Sequence, residues 1–250
     1  MQLASIVSER FGFALPAGYV RMTEAGLLSQ PRPAADSARR APPGQRKKKR
    51  APVLRTRALA TCDVHWLNAP EIAARIEKHA GRARRPPWPS SFVFVPFAES
   101  SDGDECGWAP SLGEPGAVEP PVMYIPRASE DARIVAPTFA TFLFRRTLEA
   151  LAECPHDPAA MPLAERVAAL RNSARAVLDF LPAELAARLD RVLDLPVRKV
   201  TVVTLRERAG KFYRATEAVH LSLVASDWAA RIVREELEDA RVDQPLRMNH

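Results

Sequence analysis

Between Phe97 and Pro121 the chain carries six carboxylates, Glu99, Asp102, Asp104, Glu105, Glu114 and Glu119, and no Lys or Arg. Carboxylates at this density have three chemical uses: holding a divalent cation, working as a general acid and base, or steering a basic partner. A calcium loop spaces its ligands at alternate positions and ends on a bidentate Glu. The run Asp102-Gly-Asp104-Glu105 has neither feature. Hydrolysis by paired carboxylates requires two of them to flank one bond, and nothing in the spacing supplies that pairing. Steering remains. A surface of one sign speeds encounter with a partner of the other and rejects wrong partners. Trp108 lies beside these acids, and aromatic side chains dominate interface energetics. The candidate partner-contacting residues are therefore Glu99, Asp102, Asp104, Glu105 and Trp108. The same residues also read as a solvated acidic loop with Trp108 packed inward, because charge clusters commonly just face water.

No other segment supplies a reactive constellation. The chain has no GxGxxG, GxxxxGK[ST], GxSxG or HExxH pattern, and each of these corresponds to a specific phosphate, nucleophile or metal geometry. His250 is terminal, His156 lies in a Pro-rich loop, His79 stands near a helix end, and His220 falls in an alternating strand pattern. Cys62 and His65 are three apart without a second ligand pair, which argues against zinc. Three dispersed cysteines, Cys62, Cys106 and Cys154, make no disulfide framework. The sequence thus gives no catalytic, cofactor-binding or metal-ligating residues. It predicts a protein that is not an enzyme, takes no cofactor and has no small-molecule substrate.

The acid-rich loop is framed by elements that must position it. Phe92–Phe97 and Val122–Ile125 read as strands on either side, and Thr138–Leu151 as a helix apolar on one face. Strand, acidic turn, strand and helix form a unit that buries one sheet face and leaves the loop on its rim. Upstream, Leu3, Ile6, Val7 and Phe11 have helical spacing. Pro16 ends that helix through its effect on Leu15 and opens a second, which runs through Tyr19 and Met22 to a stop at Gly26. Leu59–Leu67 reads as a strand, and Asn68 caps a helix over Ala69–His79 with Ile72 and Ile76 inward. Trp66 and Trp88, on either side of that helix, read as packing residues.

Downstream, Pro162 opens a helix with the stripe Leu163, Val167, Leu170, Ala174, Val177 and Leu181, and Pro182 opens another through Leu193. Lys199–Arg206 and Glu217–Val224 alternate as strands about a turn at Gly210, and Ser226 caps a closing helix through Leu237. The expected class is α+β: a mixed or antiparallel sheet packed by helices over residues 1–154, then a C-terminal αα-ββ-α extension or small second domain over 155–250.

Charge is unevenly placed. The 250 residues carry a net +6, yet residues 31–57 hold ten Lys/Arg against the single acid Asp36. Everything else then has 26 basic and 29 acidic groups, a balance of −3. Residues 30–57 contain five Pro, no aromatic side chain and no period, a composition that reads as a disordered insert. Within it Arg46, Lys47, Lys48, Lys49 and Arg50 form the one segment suited to nucleic acid or another anionic partner. The competing reading is a solvated linker. No apolar run reaches the roughly 20 residues of a membrane span, and Glu9 and Arg10 spoil a signal peptide. The expected setting is the cytoplasm, with no membrane partner.

In succession, several of these short segments resemble the SUKH superfamily, which includes the Smi/Knr regulators and many bacterial immunity proteins. The opening Phe11-Gly-Phe-Ala-Leu-Pro-Ala-Gly-Tyr19 followed by Gly26 resembles its helix–LP–helix start. Val95-Pro-Phe-Ala98, Gly103-Asp104, Pro121-Val-Met-Tyr124 and Ala136-Pro-Thr-Phe139-Ala-Thr-Phe142-Leu143 resemble its later block, in order, over roughly residues 1–151. Three departures stand out. The basic segment replaces a glycine-rich one, Glu105-Cys-Gly-Trp108 replaces an aromatic-Asp run, and the C-terminal residues have no counterpart. The resemblance implies an α+β domain that binds without catalysis, as an immunity protein neutralising a cognate toxin of the nuclease or deaminase class by occlusion of a basic cleft. The alternative it implies is a regulatory or scaffold module of Smi/Knr type whose basic insert contacts nucleic acid or an anionic partner.

Overall fold

The computed structural model describes residues 2–28, 64–82, 92–100, 103–114, 117–127, 132–152, 154–156, 161–208, 211–222 and 231. Asp102, Trp88, the basic run Arg46–Arg50 and all but Arg231 of the helix expected after Ser226 lie outside these residues, as does Gly210.

Helix α1 (Gln2–Phe11) ends at Gly12, and α2 (Ala17–Glu24) begins after Pro16. The end of α2 follows from Gly26, whose φ of 69° is open to a residue without Cβ. Its left-handed turn lets Leu27 N–H reach the Met22 carbonyl and Gly26 N–H reach that of Thr23, satisfying carbonyls the helix would leave bare. Strand β1 (Val64–Trp66) leads into α3 (Ala69–Arg82). There Asn68 Oδ1 accepts from the Glu71 N–H at 3.0 Å while Glu71 Oε2 accepts from the Asn68 N–H at 2.9 Å, a reciprocal capping box.

Four more strands, β2 (Val95–Ser100), β3 (Glu105–Trp108), β4 (Val122–Ile125) and β5 (Arg133–Ala136), complete a five-stranded sheet in the order β1-β2-β3-β4-β5, every pair antiparallel. The fold class is α+β. Two elements depart from the sequence expectation. Glu105–Trp108, expected within an acidic loop, is a central strand, and Arg133–Ala136, expected as a connection, is an edge strand. Four-residue strands are too short for a period to declare itself. The expected strand Phe92–Phe97 is also displaced toward the C-terminus. Pro96 cannot donate to a ladder, and the β2–β3 register shifts between Pro96 and Ala98. This bulge brings both Phe97 and Ala98, neighbours in sequence, into the same core.

The main core lies on the face that carries Cys106, Trp108 and Val122. A smaller cluster, Phe94, Ala109, Met123 and Ala132, is separate from it. Helix α4 (Phe139–Ala152) fills the main core, its first turn held by Thr138, whose Oγ1 accepts from the Thr141 N–H. The sequence predicts one apolar face, but Phe139, Phe142, Leu143, Phe144, Thr147, Leu148, Ala150 and Leu151 are all buried. The far side of α4 is covered by α5 (Leu163–Leu178), α6 (Ala183–Leu193) and the second sheet. Leu170, Ala174, Val177, Leu185, Leu189 and Leu193 belong to the same apolar cluster as Trp66 and Phe97. The C-terminal block is thus fused to the first sheet through a shared core and, among the described residues, adds no strand to it. Its strands β7 (Arg198–Arg208) and β8 (Lys211–Ser222) join β6 (Cys154–His156) in a separate sheet of order β6-β8-β7. His156, expected in a loop, is therefore in a strand.

The join between the two parts is tight at Gly18. A Cβ there would meet the Phe180 carbonyl oxygen at 3.3 Å and the Phe139 ring at 3.6 Å, and the Arg21 guanidinium lies 5.8 Å from the Phe180 ring centroid. Gly18→Val is expected to lose about 1–3 kcal/mol, the usual cost of overpacking, and this will appear as a lower unfolding midpoint in guanidinium. An unchanged midpoint would show that the α5–α6 connection can move off α2 freely.

Candidate functional site

The acidic residues singled out from the sequence are placed by β2, β3 and the turn between them. Glu99 and Glu105 are directly opposite one another across the β2–β3 pair. Adjacent carboxylates on one sheet face repel, so something must neutralise them. Helix α3 does this. Its Arg75 forks between the two strands, one guanidinium nitrogen to Glu105 Oε1 and the other to Glu99 Oε2 at 2.6 Å. One turn on, His79 Nε2 meets Glu105 Oε2 at 2.6 Å, and Lys78 Nζ stands 4.0 Å from Glu105 Oε1. Both oxygens of Glu105 are thus committed. His65, opposite Glu99 on β1, adds a longer contact of 3.7 Å to Glu71.

The electrostatics follow from this geometry. Burial of Glu105, whose side chain is 7% exposed, works to raise its carboxyl pKa. The hydrogen bond from His79 and the charges of His79, Arg75 and Lys78 outweigh it and hold the group at about 2. Glu105 is an anion locked inside an ion cluster, without the open face a general acid or base needs toward substrate.

Asp104 has a different task. It sits after Gly103, whose φ of 87° turns the chain back from β2 into β3. Tyr124 O–H donates to Asp104 Oδ2, and the Arg127 N–H donates to Oδ1 at 2.9 Å. Burial acts to raise the Asp104 pKa, and these bonds with Ser100 bring it below the ordinary carboxylate value. The same bond, added to burial, pushes Tyr124 up to about 12. Asp104 therefore pins the turn to β4.

Trp108 overturns its expected role. It is fully buried, with its ring centroid 4.9 Å from Tyr19 and 4.5 Å from Phe97. A side chain in the middle of the core is unavailable as an anchor for a partner. The correction extends to Glu105, whose period-2 position on β3 puts it opposite in direction to Cys106 and Trp108 but against α3 instead of water. Glu99, at 17% side-chain exposure, is also bound to Arg75. Cys106 is buried, and burial pushes its thiol up to about 12, which makes it inert. Reading the sequence missed Arg75 and His79. Their only signal was the i, i+4 spacing on a helix whose Ile72 and Ile76 define another face.

Among the described residues no group of three or more His, Cys, Asp or Glu is arranged to hold a metal ion, and no helix is long and apolar enough to cross a membrane. A scan against protein-family models finds no match to this chain, and searches of curated proteins and of solved structures find none either.

Proposed function

We propose that the chain works by binding, as a SUKH-type immunity protein that occludes a cognate toxin in the reducing interior of the cell. One observation carries this reading: the short motifs of the resemblance, distant in sequence, meet in one aromatic cluster. Tyr19 from the LP-to-Tyr motif lies 5.5 Å from Phe139 and 6.2 Å from Phe97. Phe97 from the Pro-Phe-Ala motif lies 5.6 Å from Phe139 and 5.3 Å from Phe142 of the closing helix. Aromatic pairs at these separations and steep angles are each favourable beyond their burial. The motifs are therefore the interlocking parts of one scaffold. Residues that hold a scaffold together are spent on that task, which leaves loops to carry specificity.

Neutralisation by this protein needs no chemistry of its own. The ion cluster of Glu99, Glu105, Arg75 and His79 stiffens the join of α3 to the sheet, so the partner-contacting surface lies elsewhere on the sheet rim. The test is co-expression with whatever toxin domain a gene adjacent to this chain's own encodes, read as host growth, together with titration of the purified pair. Growth protection and a dissociation constant below about 1 μM, near −8 kcal/mol, are expected. Turnover of a substrate by this chain alone, or no complex with that domain, would overturn the reading.

A further inference from the structure

Strands β7 and β8 outrun their neighbour. Strand β6 pairs with β8 only from Val219 to Leu221. Residues 202–208 and 211–218 therefore continue as a two-stranded ribbon that, among the described residues, no third strand joins. At the usual rise per residue this part is roughly 20 Å long. The root of the ribbon is held, since Ser222 is buried, β6 pairs beside it and α4 packs against β8.

The register decides which residues share a face. Arg206 stands opposite Tyr213, and Arg208 opposite Lys211. Opposed residues, and residues two apart along a strand, lie on the same face. One face of the ribbon end thus carries Arg206, Arg208, Lys211 and Tyr213, and no acid. Glu207 with Phe212, and Leu205 with Arg214, fall on the other. Between Thr204 and Leu205 the register shifts, leaving Ala215 as an extra residue on β8. Such a bulge bends and twists a ribbon, and it sets the basic end apart from the root. On the root side the β7 residues of the basic face are Val200, Val202 and Thr204, all uncharged.

Like charges directly opposite one another weaken a strand pair. Arg208 against Lys211, with Arg206 two residues away, is therefore costly in the free protein and favourable against a row of anions. The shape of the element selects among anions. A two-stranded ribbon fits the major groove of B-form DNA, about 12 Å wide, whereas the major groove of an RNA duplex is deep and narrow. Arg guanidinium groups bind phosphate through paired hydrogen bonds, and a Tyr hydroxyl also donates to phosphate.

We propose that the end of the β7–β8 ribbon is a binding site for double-stranded DNA, entering the major groove with Arg206, Arg208 and Lys211 meeting the phosphates that flank it. The site is separate from the basic run Arg46–Arg50 and independent of the toxin-neutralising reading. Phosphate contacts position a protein without reading bases, so the binding is salt-dependent and tolerant of sequence.

The experiment uses the full chain with Arg46–Arg50 all replaced by serine, which silences the other basic segment. The probe is a fluorescein-labelled 20-base-pair DNA duplex of mixed sequence, followed by anisotropy from 50 to 200 mM salt. A dissociation constant of roughly 1–100 μM is expected, in the range of non-specific DNA binding. Adding R206Q/R208Q/K211Q should weaken it by about tenfold or more at 50 mM salt and flatten the plot of log affinity against log salt by about 2.7, or 0.9 for each phosphate released. The guanidinium midpoint of that variant should not fall, because its substitutions remove like charges. R206K/R208K should keep most of the salt slope. Parent-like affinity and slope in the triple glutamine variant, or no DNA binding by the serine-substituted chain, would overturn the site. Equal affinity for an RNA duplex of the same length would overturn insertion into the major groove. Equal affinity for a poly-glutamate 20-mer would overturn the assignment to DNA.

Discussion

Arg75→Ala is expected to destabilise the protein by about 3–5 kcal/mol, the cost of stripping one partner from a buried ion cluster. The loss is large because Arg75 serves two carboxylates that lie opposite each other on neighbouring strands. His79 and Lys78 remain near Glu105 after the change. Glu99 and Glu105 then face each other across the strand pair without the guanidinium they shared. The triple variant R75M/E99Q/E105Q should regain most of the loss, because removing all the charges together also removes their desolvation cost. The pH dependence has a definite sign. The Glu105 carboxyl moves from its ordinary 4.5 to about 2 in the folded protein. A depressed pKa of this kind stabilises the fold above pH 4.5, by roughly 3 kcal/mol, and the contribution fades as pH falls from 4.5 to 2. Guanidinium midpoints at pH 7, 4 and 2.5 should therefore fall steeply for the parent and less for Glu105→Gln. An R75A cost below 1 kcal/mol, or an acid limb of full size in E105Q, would show that the cluster is too hydrated to matter.

This cluster marks the limit of what the residues alone disclose. Helix α3 was legible because Asn68, Glu71, Ile72 and Ile76 obey local rules of capping and period, and β4 because Val122–Ile125 is a short apolar run between turn residues. The α5 and α6 helices were legible from Pro162 and Pro182 and their Leu/Val stripes. None of those rules couples α3 to β3. Whether Glu105 faces water or Arg75 depends on which face of a four-residue strand it occupies, and a shift of one position would exchange it with Cys106. The acid run therefore looked like a loop: Glu105 is polar, Gly107 is a turn residue by habit, and only Cys106 and Trp108 alternate as a strand should. Trp108 was weighed as an anchor because it stood among acids. In space it stands among Tyr19, Phe97 and Phe139, three aromatics from three other elements.

Gly107 in the same strand is the position least able to accept a side chain. A Cβ on it would lie 2.6 Å from two ring carbons of Phe94 and 2.6 Å from the Val95 carbonyl oxygen. Glycine in a strand interior commonly marks such an approach. The two contacts differ in kind. The Phe94 ring, T-shaped against His79 at 5.2 Å, is a side chain and can rotate at some cost. The Val95 oxygen belongs to backbone, and Val95 is paired with Trp108 in the β2–β3 ladder, so it moves only if the strands separate. Gly107→Ala is therefore expected to cost about 3 kcal/mol or more, at the upper end of overpacking. A double-mutant cycle with Phe94→Ala divides the effect. In the F94A background the Gly107→Ala cost should fall as the ring's share disappears, yet remain above about 1 kcal/mol because the carbonyl is still there. Near-UV circular dichroism should change as well, since β3 holds Trp108 on one face and Glu105 on the other, and a displaced strand disturbs both the aromatic cluster and the ion cluster. If Gly107→Ala unfolds at the parent's midpoint, the β2–β3 approach is looser than 2.6 Å implies. The coupling of α3 to the core through that strand then fails with it.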